Sequence, residues 1–414
     1  MSQLSLPLPP NFFRCPPLTE NERQRFLNMG FQSVRELVAK AKLEGGPYRW
    51  SRLSNESDMK IYKGYGVRAV GKAEIHCAVK EAVGDLNEVI QLYRSDTTEE
   101  AKEHMRRFGR AYVDAVKLYT ILPRDPAHPN DCMYIKWYCT KSPLDGIVTR
   151  RDFCLLETDL EIKIDGRRGW VRAFKSVELP CVPHLRDLLN CIRAYQYDMG
   201  HVFYESQRSG YLHMTYLADM DVRGNVPAIV NDESVKAWCR NLSDIDRFMR
   251  EDRLSRTPFL RKDQFCPLNL RLSCYFCQKS FGPLRRKSNC NKCGEVVCKK
   301  CNPLWLVRIN GEHVEKRACY ACSLNRTALG TYQRSWKLGS DSASKSVVSN
   351  SHGASGTEEW EDESSAVNTG HRDMNTTWEL RLSDTKAKTG DESGDRWSVH
   401  LNGEDVPIEW AKAD

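Results

Sequence analysis

The sequence predicts an α+β protein in which a domain of antiparallel strands and helices precedes a small cysteine-rich module and an acidic tail. Short stretches between residues 132 and 219 alternate apolar and polar residues, as half-buried strands do. Four C-x-x-C pairs lie within residues 274–322. Residues 335–414 carry 8 Lys or Arg against 16 Asp or Glu, a net charge of −8. Each of these observations marks out one region of the chain.

The bulk composition limits the class of protein. A length of 414 residues accommodates two or three domains of about 100–200 residues each. Hydrophobic residues make up 40% and charged residues 28%, which is typical of a soluble globular protein with some disordered sequence. No apolar run approaches the roughly 20 residues that cross a bilayer, and the proline-rich start lacks the pattern of a signal peptide. We therefore expect a cytoplasmic protein whose contact with membranes is peripheral.

Residues 1–46 are predicted to form a proline-rich N-terminus followed by short helices. Thr19 and Glu22 have the spacing of a capping box, which marks the start of a helix. Apolar residues follow at roughly helical spacing. Gly30 is expected to divide this stretch into two short helices, because glycine weakens a helix interior.

Residues 47–254 are predicted to form one domain of strands and helices. Asp165-Gly166 marks a turn, and Ser209-Gly210 separates two adjacent alternating runs, which indicates a hairpin. Helices are expected at 84–95 and 98–109, and one long helix is expected after Asn231. The expected strands are 132–139, 151–158, 170–178, 201–206 and 211–219, and the expected buried face of the last helix is Val235, Trp238, Leu242, Ile245 and Met249.

Three stretches of this domain resemble the START lipid-transfer family: SPL…TRRDFC at 142–154, GRRGWVRAFKSVE at 166–178 and GYLHMTYLADMDVRGNVP at 210–227. The closest similarity lies in Arg-Asp-Phe at 151–153 and in the bend Asp221-x-x-Gly224-x-x-Pro227. The resemblance implies a helix-grip fold, in which a curved antiparallel sheet surrounds a long C-terminal helix and a tunnel holds one lipid. Periodicity does not identify the residues that line such a cavity. The alternative is a START-like shell that binds no lipid and serves as a scaffold.

The eight paired cysteines predict two structural zinc ions. Two cysteines three residues apart can place both thiolates on one metal, and four thiolates complete a tetrahedral site. A catalytic zinc is disfavoured because an all-thiolate set leaves no open position. Only four residues separate the second pair from the third, so an interleaved scheme avoids a cramped loop. The expected ligand sets are Cys274, Cys277, Cys298 and Cys301 for one zinc, and Cys290, Cys293, Cys319 and Cys322 for the other. The remaining nine cysteines are expected to be buried, reduced thiols.

The cysteine spacing over residues 266–325 resembles the FYVE zinc-finger family. The pattern C-x2-C, twelve residues, C-x2-C-G, three residues, C-x2-C runs from Cys274 to Cys301, and Phe281 and Arg317 match the family's aromatic and basic positions. The family's headgroup motif contains two histidines before its cysteine and an arginine after it. Here that motif is RKSNCN at 286–291, so all three are replaced, and no Trp-x-x-Asp precedes Cys274.

The resemblance implies contact with an anionic membrane, including one that carries phosphatidylinositol 3-phosphate. Residues 266–325 hold 11 basic and 3 acidic residues, a net charge of +8. The candidate lipid contacts are Arg285, Arg286, Lys287 and Arg317, and Leu284 is the candidate for membrane insertion. A cation at such a surface contributes about 1 kcal/mol, and an inserted leucine roughly 1.5–3 kcal/mol. Weak, salt-sensitive adhesion is therefore expected.

The leading hypothesis is a non-enzymatic lipid-binding or lipid-transfer protein that the finger recruits to anionic, including endosomal, membranes. No catalytic constellation or phosphate-binding loop stands out in the sequence. The alternative is a zinc-dependent interaction scaffold or ubiquitin-ligase-type adaptor without a lipid ligand. Nucleic-acid binding is the weaker third hypothesis, since no recognition helix is evident. Residues 326–414 are predicted to be largely disordered. The short apolar islands around Trp360, Trp378, Trp397 and Trp410 are either incidental or part of motifs for a protein partner.

Overall fold

The computed structural model describes residues 5–9, 11–56, 58–66, 75–108, 111–141, 148–224, 228–324, 398–401 and 404–407. Two compact units are distinguished, Met1–Asp252 with Thr377–Asp414, and Arg253–Thr376. The predicted acidic tail falls outside the described residues except for a hairpin of two strands, Ser398–Leu401 and Glu404–Pro407. The Ser-Pro-Leu string at 142–144 and Pro227 also fall outside them. The domain boundaries at 47–254 and 266–325 remain predictions.

The N-terminal part contains most of the secondary structure. Its helices are α1 (Glu20–Lys40), α2 (Leu86–Tyr93), α3 (Thr98–Phe108), α4 (Arg186–Leu189), α5 (Ala228–Cys239) and α6 (Asn241–Ser255). Its strands are β1 (Arg49–Glu56), β2 (Met59–Tyr65), β3 (Ile75–Val83), β4 (Tyr112–Leu122), β5 (Cys132–Thr140), β6 (Arg150–Ile164), β7 (Arg167–Ser176), β8 (Cys191–Arg193), β9 (Tyr195–Gln196), β10 (Met199–Glu205), β11 (Tyr211–Ala218) and β12 (Met220–Asp221).

These strands build a curved, ten-stranded sheet in the described part of the chain. Its order is β1-β2-β3-β11-β10-β7-β6-β5-β4, all neighbours are antiparallel, and β8 joins β6 in parallel. The predicted Asp165-Gly166 turn connects β6 to β7 with φ of 50° and 75°, positive values that Asp and Gly tolerate. The Ser209-Gly210 hairpin between β10 and β11 is also present. The predicted fold class is therefore confirmed.

The sheet is covered on both faces. One face packs against α1 through a core that includes Phe26, Leu37 and Trp137. The other face packs against α2, α5 and α6 through a core that includes Trp170 and Phe203. Because successive side chains of a strand point to opposite faces, strands between two covered faces bury the side chains of both faces. All nine residues of β5 are buried for this reason, whereas the sequence predicted a half-buried strand.

The predicted break at Gly30 is wrong, because α1 is a single helix of 21 residues. The predicted capping box at Thr19 and Glu22 is present at its start. Gly30 is buried against the sheet, where an added Cβ would lie 2.6 Å from Met133 Sδ and 2.7 Å from Thr158 Oγ1. Glycine thus allows the helix to approach the sheet closely, and the packing outweighs the low helix propensity of glycine.

The prediction of one long C-terminal helix after Asn231 is also wrong. Two helices are present, α5 starts at Ala228, and Arg240 separates α5 from α6. At this point Ser243 N donates to Arg240 O, a bond three residues back that tightens the turn, and the Arg240 side chain binds Glu56 of β1. The predicted inward face is nevertheless correct: Val235, Leu242, Ile245 and Met249 are buried, and Trp238 is half-buried.

The second unit is small and built around cysteine. It contains 3₁₀ turns Lys262–Gln264, Leu268–Leu270 and Lys299–Cys301, strands β13 (Lys287–Asn289), β14 (Val296–Cys298), β15 (Leu304–Ile309) and β16 (Glu312–Arg317), and helix α7 (Tyr320–Leu324). The strands form two hairpins, β13–β14 and β15–β16. Among the described residues, five of the ten buried members of its core are cysteines. This unit therefore depends on what those cysteines bind.

No helix within the described ranges has the length and apolar character that a membrane span requires.

Candidate metal centres and lipid contacts

The eight paired cysteines lie in two groups of four. Within each group the Sγ atoms all lie within 4.8 Å of one another. The groups are Cys274, Cys277, Cys298 and Cys301, and Cys290, Cys293, Cys319 and Cys322, which is the interleaved grouping that the sequence predicts.

Tight turns produce this arrangement. Gln278 N donates to Cys274 O after the first pair, and Gly294 N donates to Cys290 O after the second. Gly294 has φ of 79°, and an added Cβ would lie 3.1 Å from Gln264 O. Glycine is therefore needed directly after the second pair.

The distances between sulfurs fit a tetrahedral metal. Zinc held at about 2.3 Å from each thiolate separates the sulfurs by about 3.8 Å. The Sγ atoms of Cys290 and Cys322 are 3.8 Å apart, and those of Cys277 and Cys298 are 4.0 Å apart. Four thiolates leave no position for a substrate, so the two groups suit structural zinc ions.

Backbone amides favour the ionised sulfurs that a metal requires. Cys298 N donates to Cys274 Sγ at 3.3 Å, and Cys319 N donates to Cys290 Sγ at 3.2 Å. Although burial opposes ionisation, backbone N–H groups such as those of Cys277 and Cys298 lower the pKa of Cys274 to about 7. Burial and the neighbouring thiols raise the pKa of Cys301, so a bound metal is needed to ionise the whole group.

Seven of the other nine cysteines are buried, as expected, but Cys15 and Cys181 are half-buried. Their Sγ atoms are 2.8 Å apart. All seventeen cysteines are free thiols in the structure.

The turn between Phe281 and Lys287 presents the predicted membrane contacts. Leu284 is 104% exposed at its tip, next to a bridge between Gly282 and Arg285. Arg285 donates to Ser280 O at 3.2 Å, and Lys287 Nζ donates to Leu268 O at 3.0 Å. Arg286 is exposed, and in the described chain its side chain contacts no carboxylate. Because backbone oxygens do not cancel a full charge, the turn remains strongly positive.

Arg317 is less accessible than the turn. Its guanidinium donates to Asn302 O at 2.8 Å, and the side-chain amide of Asn302 in turn donates to Asn289 O and Ser288 Oγ. Arg317 thus also fixes the position of β13.

The residues that replace the family's histidines have internal partners. Ser288 Oγ donates to Val297 O at 3.0 Å, and Asn289 Nδ2 donates to Cys266 O at 2.7 Å and Gly294 O at 3.1 Å. Both side chains support the fold of the finger and are committed to backbone oxygens.

Lys292 lies between the two cysteines of the second pair and is a residue that sequence reasoning missed. Its ammonium group is buried and donates to Leu254 O at 2.6 Å and to Thr257 O, and it lies 4.1 Å from the ring centroid of Phe259. Burial lowers its pKa to about 8. Lysine here caps the carbonyls at the end of α6.

A buried ionic cluster occupies the sheet face beneath α2 and was not predicted. Glu157 on β6 accepts from Lys136 Nζ at 2.8 Å, from Tyr138 OH at 2.8 Å and from Arg172. Arg172 also donates to Tyr93 O at 2.6 Å, and Lys136 donates to Ser95 O at 2.8 Å. The cluster therefore ties β5, β6 and β7 to the end of α2.

The pKa values of the two acids of the cluster are shifted in opposite directions. Burial alone would raise the pKa of Glu157, but Arg172 and Lys136 lower it to about 2. Burial raises the pKa of Asp159 to about 6, because Arg172 Nε is 3.7 Å away and compensates only in part. Within the described residues Asp159 Oδ1 and His201 Nδ1 are buried without a hydrogen bond. The sequence did contain a signal at Lys136, which is the single charge in the otherwise apolar run 132–139.

The Arg-Asp-Phe string at 151–153 has a structural role. Asp152 accepts from Arg193 at 2.8 Å and from Trp137 Nε1 at 2.9 Å. Arg151 donates to Val222 O at 2.9 Å and to Arg223 O at 2.8 Å, which holds the bend that follows β12. The two features that carry the START resemblance are thus bonded to each other.

Comparison with known proteins finds a family match within the second unit. Residues 267–327 match the family model of the FYVE zinc finger. A 73-residue stretch is 32% identical to the Saccharomyces cerevisiae protein 1-phosphatidylinositol 3-phosphate 5-kinase FAB1. That stretch is 18% of this chain and 3% of the kinase, so the chain spans only a small fraction of this relative's length.

Solved structures are similar to part of the chain. Human StAR-related lipid transfer protein 5 is 12% identical with a TM-score of 0.44, and the match covers 55% of this chain and 98% of that chain. Human STARD10 is 15% identical with a TM-score of 0.38, over 56% and 80% of the two chains. The fold assignment rests on the strand order and packing described above.

Residues 267–327 are therefore similar to the FYVE zinc finger, and they follow a domain with the helix-grip arrangement that the START resemblance implies.

Proposed function

We propose that this chain is a non-enzymatic lipid-binding or lipid-transfer protein that its FYVE finger recruits to anionic membranes, those of endosomes included. The observation that carries the proposal is the turn of the finger. Arg285, Arg286 and Lys287 have no carboxylate partner among the described residues, and they flank a fully exposed Leu284. Cations beside an exposed apolar tip match the charge and the hydrocarbon of a membrane surface.

The proposed adhesion is weak and has little headgroup selectivity. Each cation contributes about 1 kcal/mol at an anionic surface, and insertion of Leu284 adds roughly 1.5–3 kcal/mol. Ser288 and Asn289 are engaged within the finger, so they supply no charge-assisted bonds that would distinguish one phosphate position from another. Phosphatidylinositol 3-phosphate is then one anionic ligand among several.

The helix-grip domain is proposed to hold one lipid, with the polar end of the lipid at the buried ionic cluster. Asp159 Oδ1 and His201 Nδ1 offer buried hydrogen-bonding atoms beside the apolar core of this face. Lys136 and Arg172 balance Glu157 and Asp159 in charge. A lipid with an uncharged polar group suits such a site, since an added net charge would lack a partner.

Vesicle binding tests the recruitment step. The full, zinc-loaded chain should sediment with phosphatidylcholine vesicles that contain phosphatidylserine or phosphatidylinositol 3-phosphate, and salt should weaken this binding. Arg286→Ser with Lys287→Ser should lower it by about tenfold or more. Arg308→Ser on β15 is the matched control, because Arg308 is exposed in the same finger but outside the turn.

Native mass spectrometry tests the lipid ligand. The protein should carry two zinc ions and, after incubation with cell-extracted lipids, one lipid. Two zinc ions without lipid or vesicle binding would instead support the interaction scaffold, for which a ubiquitin-discharge assay is the next measurement.

A further inference from the structure

The segment that precedes the first cysteine pair exposes three leucines. Leu268, Leu270 and Leu272 are 43%, 59% and 84% exposed. An exposed leucine by itself is ordinary, but three within five residues form a local apolar surface that water solvates poorly.

This segment is fastened to the cationic turn. Phe281 N donates to Leu272 O at 3.0 Å, and Ser273 and Ser280 form a β-bridge. Lys287 Nζ donates to Leu268 O at 3.0 Å, which fixes the other end of the segment against β13. The leucines therefore adjoin the turn whose tip is Leu284.

We propose that residues 268–272 form a second apolar element that enters the membrane beside Leu284, so that hydrocarbon insertion supplies binding that the headgroup contacts do not. This inference rests on the proposed recruitment to membranes. It assigns to the finger a preference for the lipid surface over any particular phosphate position.

The distribution of charge favours a membrane over a protein as the occupant. Between residues 273 and 294 the sequence contains no acidic residue, and its cations apart from the buried Lys292 are Lys279, Arg285, Arg286 and Lys287. The acids on either side are paired, Glu295 with Arg271 at 3.0 Å and Asp263 with Arg261 at 3.7 Å. Leucines surrounded by unopposed cations are complementary to an anionic lipid surface.

Another apolar pair in the same finger lacks this setting and provides a control. Leu304 and Leu306 on β15 are 43% and 45% exposed. Leu304 lies opposite Arg317 and Leu306 lies opposite Glu315 of β16, so this pair has one cation and one acid beside it. Apolar exposure is similar to that of Leu268, whereas Glu315 would be repelled by an anionic membrane.

The test compares two double variants of the full, zinc-loaded chain on phosphatidylcholine vesicles that contain phosphatidylserine. Leu270→Ser with Leu272→Ser should reduce the vesicle-bound fraction, because the dissociation constant should rise about tenfold or more. Leu304→Ser with Leu306→Ser should bind as the unaltered protein does. Both variants must retain two zinc ions in native mass spectrometry, which shows that the finger is folded.

Insertion of residue 272 into the hydrocarbon of the membrane can be measured directly by fluorescence. Leu272→Trp should gain fluorescence quenching by lipids brominated on the acyl chain, relative to the unaltered protein, and Leu306→Trp should not. This measurement distinguishes insertion from adhesion at the headgroups and does not require a loss of binding.

The outcomes separate the inference from the function on which it rests. If the unaltered protein binds and the Leu270/Leu272 variant binds equally well, or if the Leu272→Trp variant shows no added quenching, the inference is overturned while recruitment stands. If the unaltered protein binds no anionic vesicle, recruitment and the inference fail together.

Discussion

The helix-grip domain and the zinc finger stabilise their buried ionisable groups in different ways. In the domain, Lys136, Glu157 and Arg172 neutralise one another through bonds within the chain. In the finger, cysteines supply half of the buried core, and the two groups of thiols require a metal to hold them. The helix-grip domain thus carries its own counter-charges, whereas the finger obtains them from bound zinc. The two regions should therefore fail under different treatments.

Removal of zinc should produce the largest difference between the two regions. A structural zinc site contributes about 10–16 kcal/mol of apparent binding energy, which is folding energy for so small a unit. A strong chelator should abolish protection from hydrogen exchange over residues 266–324 and leave the strands of the sheet protected. Loss of protection in both regions, or in neither, would contradict the comparison.

The cysteines permit a matched version of this experiment. Cys290→Ala should cost one zinc ion in native mass spectrometry, whereas Cys266→Ala should retain two. Cys266 is likewise buried in the same finger but belongs to neither group. Retention of both metals by the Cys290 variant would remove that residue from the proposed ligand set.

Loss of a partner in the ionic cluster should be the next largest effect. Arg172→Met leaves Glu157 and Asp159 buried with less compensation, which costs about 3–5 kcal/mol of unfolding free energy. Arg168→Met on the same strand breaks an exposed pair with Glu161 and should cost at most about 1 kcal/mol. Urea unfolding followed by the signals of the sheet measures both. Equal costs would show that the cluster is not charge-balanced as described.

A methyl group at Gly30 should destabilise the domain despite a better helix propensity. The added Cβ meets Met133 and Thr158 well inside contact distance, and such overpacking costs about 1–3 kcal/mol. Gly282→Ala is the counterpart in the finger, since no atom lies within 4 Å of its added Cβ. That variant should change stability by less than about 0.5 kcal/mol. Thermal unfolding of both variants measures these two changes in stability.

Mild acid should weaken the domain through its buried histidines. Burial, assisted by Arg172, lowers the pKa of His201 to about 3, and burial likewise lowers that of His104 to about 3. Only the unfolded chain binds these protons, so stability present above pH 6.5 is lost as pH falls, by about 1.4 kcal/mol per pH unit for each histidine. The raised pKa of Asp159 acts in the opposite direction below about pH 6.

The contribution of one histidine can be isolated. His201→Phe keeps an aromatic ring in place and should flatten the dependence of unfolding free energy on pH between 6.5 and 5.5 by about one proton. The unaltered slope in this variant would show that His201 is protonated in the folded domain.

Sequence patterns predicted the features that depend on local spacing. The capping box at Thr19, the Asp165-Gly166 turn and the cysteine grouping all follow from residues that are close together in the chain. The features that depend on tertiary packing were missed. Gly30 is helical because of its fit to the sheet, and the break at Arg240 accompanies a bond to a distant strand.

The ionic cluster shows why the interior could not be derived. Lys136, Glu157 and Arg172 meet because β5, β6 and β7 are adjacent in one register. The sheet also joins β3 to β11 across more than 120 residues. Periodicity places a residue on a face, but the neighbours on that face are set by strand order, which a single sequence does not specify.

Through Lys292, the resistance of the chain to proteolysis depends on bound zinc. Its ammonium group holds the carbonyls of Leu254 and Thr257 only while the cysteines on either side are fixed. Once zinc is gone, the stretch from Arg253 to Lys262, which contains four basic residues where trypsin-like proteases cleave, loses its anchor. Limited trypsin digestion should cut the metal-free protein there first and spare the loaded form. Bound zinc should thus protect the chain from proteolytic cleavage between the finger and the residues that precede it.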